Sequence, residues 1–444
     1  MEVLPHVQLA SDAADEVRIL QLTDMHLFPH CTAWRCSPKG TFASRDVDFM
    51  AEDFPSPLTQ EPATVMVRAL VEQSRPHLVI FTGDIVDGRP YGHEYPALQH
   101  GVPVHAAGSA QDPFRLFEAA FMRVLEPLLE LGVPWCFCPG NHDDDSSPWT
   151  RVDLLRTFSL PGCATPTATH FDHTLTLSAR DEADETAVRL WVFDSGPNRK
   201  AIKYEPVAAA AVSSYLELSL SLRAAAAELA FVHVPLPEYS DARILVGTCA
   251  LFEARLLAGM LPQPWRSMPR LLARMLAHAL GHDRAVGCSK VNTGLCAALA
   301  RRGTVRAVCC GHNHFNDFVG VHGRLFLCFG RVSGISPPVT WEHDGGRLPF
   351  RPGGRVLAVQ PSAVECARIE TWVQPHDDGG VGGLGVTEED RIVLDPVHFG
   401  EDEGEARGRH ILHGLAAGLA VSASVAAVLV AVIAAHTCSV RAIT

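Results

Sequence analysis

Leu78-Val79-Ile80-Phe81-Thr82-Gly83-Asp84 is the stretch on which the reading of this chain turns. Residues 78–81 form a continuous apolar run of strand character, and Pro76 ends whatever helix precedes them. Gly83 then lets the backbone turn tightly and bring a carboxylate round at the strand end. The same punctuation recurs along the chain. Residues 17–22 lead into Thr23-Asp24-Met25-His26, and residues 134–138 lead into Pro139-Gly140-Asn141-His142-Asp143. Residues 229–232 end at His233, and residues 305–310 run into Gly311-His312-Asn313-His314.

Helical spacing of apolar residues fills the intervals at 63–73, 114–131, about 215–226 and about 295–301, with Pro62 suited to a first helical turn. A further strand at 189–193 precedes Asp194-Ser195-Gly196. Strand–loop–helix units of this kind predict α/β architecture with a buried sheet, and open α/β sheets place their sites at the carboxyl ends of strands. Residues 318–321, 324–329, 356–359 and 366–373 have strand composition without helices between them. They are expected to complete a second sheet against the first. No internal repeat is present.

Singly, each motif is ordinary: Asp-x-His arises by chance, Gly-Asp is common in turns, and a lone histidine after a strand is more often structural. Five such motifs in order, each at a strand end, predict a two-metal site built from Asp24, His26, Asp84, Asn141, His233, His312 and His314. Two divalent ions side by side need a bridging carboxylate, and imidazole with oxygen ligands suits Mn, Fe, Zn or Ni. Such a pair can share a water or hydroxide, lower its pKa and clamp phosphoryl oxygens during in-line attack. His142, beside a ligand, is placed to stabilise developing charge or protonate a leaving oxygen. Asp143 or a nearby carboxylate is expected to orient it.

Composition bounds the rest. The 444 residues, 47% hydrophobic, allow a sizeable core. A formal net charge of -13 argues against a nucleic-acid footprint, but not against a small anionic substrate at a metal site. The 13 cysteines include no CxxC pair; Cys136, Cys138, Cys309 and Cys310 read as buried thiols, with a local disulfide between Cys31 and Cys36, beside the first metal motif, as the exception to check. The N-terminal residues 1–17 do not form a secretory signal. Residues 411–435 contain no Asp, Glu, Lys or Arg, a length that spans a bilayer core, and Arg407 and Arg409 stand upstream. The expectation is a C-terminal transmembrane tail anchor with the body of the protein facing the cytosol. The organisation expected is a catalytic domain at 1–375, an acidic Gly-rich tether at 376–410 and the membrane helix at 411–435. Insertions at 29–55 and 89–112 are expected to line the mouth of the site, and 240–286, with an Arg/Leu/Met helix, is expected to act as a lid.

The ordered set of motifs resembles the calcineurin-like metallophosphoesterase superfamily over about residues 17–373. That resemblance implies a four-layer α/β/β/α sandwich of two mixed β-sheets flanked by helices. It also implies that Asp24, His26 and His314 bind one metal, Asp84 bridges, and Asn141, His233 and His312 bind the other. The flanks 81–84, 233–239 and 311–318, with Asn292-Thr293-Gly294, are similar to a subgroup named "probable inactive" purple acid phosphatases of plants and related fungal phosphatases. Purple enzymes carry an iron-bound tyrosine three residues after the Gly-Asp aspartate. Here Asp87 holds that position and the first motif supplies His26, which points away from a purple Fe(III) centre, while all seven expected ligands are kept. The expected activity is phosphate-ester hydrolysis, foremost on monoesters; a phosphodiesterase acting on a nucleotide or lipid headgroup and a non-catalytic tethered scaffold are the alternatives. Lys290, Arg331 and Arg351 are candidate phosphate contacts, and Tyr239 either stacks on substrate or packs beside Pro237.

Overall fold

The computed structural model describes residues 1–4, 7–9, 15–27, 61–88, 112–145, 147–178, 188–199, 203–247, 286–314, 316–334, 352–361, 367–376, 386 and 390–394. In chain order the strands are β1 (Glu2–Val3), β2 (Val7–Gln8), β3 (Val17–Leu22), β4 (Leu78–Thr82), β5 (Trp135–Cys138), β6 (His173–Ser178), β7 (Val188–Val192), β8 (Asn198–Arg199), β9 (Lys203–Tyr204), β10 (Ala227–Phe231), β11 (Arg243–Val246), β12 (Val305–Cys310), β13 (Val319–His322), β14 (Leu325–Phe329), β15 (Gly353–Gln360), β16 (Arg368–Pro375) and β17 (Ile392–Val393). The helices are α1 (Glu61–Ser74), α2 (Phe114–Leu131), α3 (Ala209–Ser221) and α4 (Leu295–Arg302).

All these strands but β8 and β9, which pair antiparallel in a ribbon of their own, form two mixed sheets. One has the order β17-β16-β15-β3-β4-β5, and the other β1-β6-β7-β10-β12-β14-β13-β11, with β2 also on β6. Within the first, β3, β4 and β5 are parallel, and β15, β16 and β17 extend it antiparallel. Within the second, β7, β10, β12 and β14 are parallel. Every strand that leads into a candidate ligand therefore lies in a parallel run. All residues of β4, β5 and β10 are buried, as the near-continuous apolar composition of such strands requires.

Helix α2 buries Phe114, Phe117, Phe121, Val124, Leu125 and Leu128, one stripe at helical spacing. Its phenylalanines meet the first sheet, with Phe121 at 5.2 Å from both Phe81 and Trp135 in edge-on contact. The helix stops at Gly132, whose φ of 68° a side chain would resist. Helices α3 and α4 cover the second sheet, where Tyr215, Leu295 and Leu299 close over Trp191, Val308 and Leu327. The sheets are tied across their interface by polar side chains. Gln21 of β3 donates to the Cys310 carbonyl (3.0 Å), and Arg355 of β15 donates to the carbonyls of Phe329 (2.6 Å) and Asp317 (2.5 Å).

Several expectations need correction. The four late strand segments do not build one sheet. β13 and β14 form a hairpin through Gly323 and add to β12, whereas β15 and β16 add to β3. The helix expected at 215–226 runs Ala209–Ser221 instead, because the carbonyls of Leu222 and Arg223 accept from Arg302 and Arg189. Within the stretch expected as a tether, 376–410, Ile392 and Val393 pair with β16 and Leu394 is buried, and one compact unit comprises Met1–Cys249 and Val286–Pro396. β6 and β11 were not anticipated. The former alternates Thr and Leu, and the latter is largely exposed. The membrane segment at 411–435, Arg351, Cys31 and Cys36 lie outside the described residues. Among the described residues no helix is long and apolar enough to cross a membrane, and the eight cysteines are free thiols.

Candidate metal centre

Five strand ends meet at one place. β3 delivers Asp24 and His26, β4 delivers Asp84 and Asp87, β5 delivers Asn141 to Asp145, β10 delivers His233, and β12 delivers His312 and His314. The loops are pinned to one another by backbone hydrogen bonds: Asp24 N–H to Gly83 O (3.0 Å), His26 N–H to Asp84 O (2.9 Å) and Gly311 N–H to His233 O (3.0 Å). Close approach explains the glycines. A Cβ on Gly83 would lie 2.4 Å from the Gly140 nitrogen, and one on Gly140 would lie 2.2 Å from Asp84 Oδ1.

Ligand-bearing atoms of Asp24, His26 and His314 lie within 4.8 Å of one another, and so do those of Asp84, His233 and His312. These are the two triplets the resemblance implied, with Asn141 Oδ1 joining the second at 3.0 Å from His233 Nε2. The hydrogen bonds fix which ring nitrogens face inward. His26 Nδ1 meets Asp87 Oδ2 at 3.1 Å and His233 Nδ1 meets the Thr82 carbonyl at 2.8 Å, so both rings carry their proton on Nδ1. Nε2 of His26 then faces His314 Nε2 at 3.0 Å, and Nε2 of His233 faces Asp84 Oδ2 at 3.2 Å. Asp84 Oδ2 and His312 Nδ1 are buried without a hydrogen-bond partner. Imidazole nitrogens, carboxylate oxygens and an amide oxygen converging in a dry site need protons or cations between them, and this donor set suits a divalent transition ion. The residues fit two metals.

Charges follow the same pattern. Burial alone would raise Asp84, but His233, His142 and His26 outweigh it and hold the carboxyl well below the usual range. Burial opposes protonation of His233, and the Asp84 carboxylate overrides it, pushing the ring up to about 9. His312 goes the other way, down to about 3, through burial and then the neighbouring His233 charge. Burial also lowers His26 despite the Asp87 carboxylate.

His142 lies at the rim of this centre, its ring 5.6 Å from that of His26. Asp143 does not orient it. That carboxylate is fully buried and accepts four backbone N–H groups: Asp84 (2.9 Å) and Gly140 (2.6 Å) on Oδ2, Ile85 and Val86 (2.9 Å each) on Oδ1. Burial, then the charge of Asp84, pushes it up to about 7. The carboxylate at His142 Nδ1 is Asp145 Oδ2, at 3.0 Å. In a run of three aspartates the sequence offered no way to choose, because the choice depends on where the turn points each side chain.

Sequence reasoning also missed Arg151. Its guanidinium donates to the carbonyls of Gly140 (2.8 Å) and Pro139 (3.2 Å) and pairs with Asp144 (2.8 Å) and Asp194. These carboxylates raise it further, against burial, so it stays charged under the loop that carries Asn141 and His142. Of the candidate phosphate contacts, Arg331 pairs with Asp317 and Lys290 is exposed. Tyr239 does not stack on substrate: it is fully buried, and its hydroxyl donates to the Val308 carbonyl (2.7 Å).

Residues 17–209 match the calcineurin-like phosphoesterase family. Four of the seven candidate ligands, Asp24, His26, Asp84 and Asn141, fall inside that match. The resemblance to the plant and fungal subgroup holds as well. "Probable inactive purple acid phosphatase 29" of Arabidopsis thaliana is 21% identical over 82% of this chain and 83% of its own length. "Phosphatase DCR2" of Saccharomyces cerevisiae is 23% identical over 70% of this chain and 47% of its own length. Among solved structures, a dimetal phosphatase from Danio rerio covers 85% of this chain and 98% of its own, at 10% identity and a TM-score of 0.42, too loose a likeness to carry an argument.

Proposed function

We propose that this protein is a metal-dependent phosphoric ester hydrolase acting foremost on monoesters. The observation that carries the reading is the pair of triplets, Asp24, His26 and His314 beside Asp84, His233 and His312, each with ligand atoms within 4.8 Å of one another. Divalent cations held there would supply Lewis-acid polarisation of a phosphoryl oxygen and an acidified water. The chain's own residues do the rest. Asp24, His26 and His314 hold one side of the centre, Asn141, His233 and His312 the other, and Asp84 spans both. Asp87 fixes the ring of His26, and Thr82 that of His233, so their Nε2 atoms stay aimed at the centre. His142 offers a proton donor at the rim. The name "inactive" belongs to plant relatives; in this chain no candidate ligand is replaced. The apolar residues 411–435 are proposed to anchor the domain to a membrane, with the domain on the cytosolic side.

The test is hydrolysis of p-nitrophenyl phosphate beside bis-p-nitrophenyl phosphate by protein stripped with EDTA and reloaded with Mn. Monoester turnover that vanishes on stripping and returns on reloading is expected. Preference for the diester would move the assignment to a phosphodiesterase, and no turnover of either ester would leave a scaffold.

A further inference from the structure

The small two-stranded ribbon β8–β9 touches the centre on two sides. Asn198, on its first strand, donates from Nδ2 to Asp145 Oδ2 at 3.1 Å, and that same oxygen meets His142 Nδ1 at 3.0 Å. Tyr204, on its second strand and register partner of Asn198, packs edge-on against the His312 ring at 4.3 Å between centroids. The ribbon leaves β7 through Asp194 and Gly196; Asp194 Oδ1 accepts the Gly196 N–H (2.7 Å), and the Asp194 N–H donates to Asp172 (3.0 Å). Asp194 is also a partner of Arg151, which holds the Gly140 carbonyl. The ribbon and the loop of Asn141 and His142 therefore share one polar frame.

We propose that Asp145, held by Asn198, is the positioning carboxylate of His142, and that β8–β9 is the element that fixes the proton donor over the site. This rests on the phosphatase reading. The aspartate adjacent to His142 is unavailable, because Asp143 spends both oxygens on backbone N–H groups, and Asp87 is engaged by His26. Asp145 accepts on the Nδ1 edge of the imidazole. That holds a proton on Nδ1 and favours the imidazolium, whose second proton, on Nε2 at the opposite edge, is the one donated. In the step served, the ester O–P bond breaks with its electron pair going to the leaving oxygen, which takes the Nε2 proton. The attacking water adds its oxygen to phosphorus. One of its protons stays with the phosphate and the other restores His142, so alcohol and phosphate leave and the protein is unchanged.

A positioned proton donor matters in proportion to how poor the leaving group is. p-Nitrophenolate departs readily without a proton, whereas the alkoxide of glycerol 2-phosphate does not. Asp145→Asn is therefore expected to lower kcat on glycerol 2-phosphate by about 100-fold, within the range of general acid catalysis, and on p-nitrophenyl phosphate by less than about fivefold. Asn198→Ala should show the same split at roughly a tenth of that size, since it loosens the carboxylate without removing it, and Asp145→Glu should restore part of the loss. Metal content by elemental analysis should match the wild type in all three. Wild-type protein active on both esters, with an Asp145→Asn variant that loses both equally or neither, overturns the positioning role alone. Wild-type protein inactive on both sinks the phosphatase reading and this inference with it. A fall in metal content that tracks the loss of activity would make Asp145 a support of the metal centre instead.

Discussion

Replacing Asp143 with asparagine separates two roles for the residue next to His142. Each carboxylate oxygen accepts a pair of backbone N–H groups, Oδ1 from Ile85 and Val86, Oδ2 from Asp84 and Gly140. An amide keeps one acceptor and turns an NH2 group toward the other pair, leaving two buried donors facing a donor. At about 1–3 kcal/mol for each buried unsatisfied group, the loss is about 2–6 kcal/mol. Against a total stability of about 5–15 kcal/mol that is a large fraction, and the thermal midpoint should fall on the order of 10 °C. The assay is urea unfolding of the EDTA-treated protein at pH 8, above the value to which Asp143 is pushed, so that the wild-type carboxylate is ionised. Were Asp143 instead the catalytic partner of His142, the variant would unfold at the wild-type midpoint and lose turnover. A midpoint unmoved by the substitution would refute the anchoring role.

Two further outcomes follow from the same geometry. Asp87→Ala removes the acceptor that fixes the His26 ring, and metal affinity measured by calorimetric titration should weaken about 10–100-fold; unchanged affinity would detach Asp87 from the centre. His233, raised from 6.5 to about 9 by Asp84 in the metal-free protein, binds its proton more tightly folded than unfolded. That contribution is fully present below pH 6.5 and lost as pH rises through about 9, so metal-free protein should lose stability between pH 7 and 10, on the order of 2–3 kcal/mol shared with Asp84. A bound cation takes the place of that proton, so metal-loaded protein should show no such loss in the same denaturation series.

The parallel strands were legible because their sequences are unambiguous: residues 78–82 and 135–138 are buried throughout, and an apolar run of that length ending in Gly-Asp or Gly-Asn has few other readings. The candidate ligands stood out for the same reason, since each sits one turn beyond such a run. What the chain did not disclose is pairing between distant segments. β14 and β15 are both strand-like, and nothing local says that one joins β12 while the other joins β3. The edge strand β11, with three of its four residues exposed, carries too little apolar pattern to be seen. Nor could the sequence divide labour among Asp143, Asp144 and Asp145, which answer respectively to backbone N–H groups, Arg151 and His142.

That division explains why so strained a site can hold its shape. Asp24, His26, Asp84 and His312 all have positive φ, between 49° and 74°, a conformation residues other than glycine adopt rarely. Strain of this kind costs about 1–3 kcal/mol per residue and persists only where the surroundings over-determine it. Here the surroundings are backbone contacts between loops, together with the Asp143 carboxylate, the Arg151 guanidinium and the carboxylates of Asp24 and Asp84. Asp24 makes the case from the other side, since both its oxygens accept the His312 N–H and so tie the first motif to the last. Substituting a candidate ligand such as His314 should therefore empty one metal position and leave the fold standing. Substituting Asp143, which faces no metal, should disturb both positions at once, because the loops of Asp84 and Asn141 lose their common anchor.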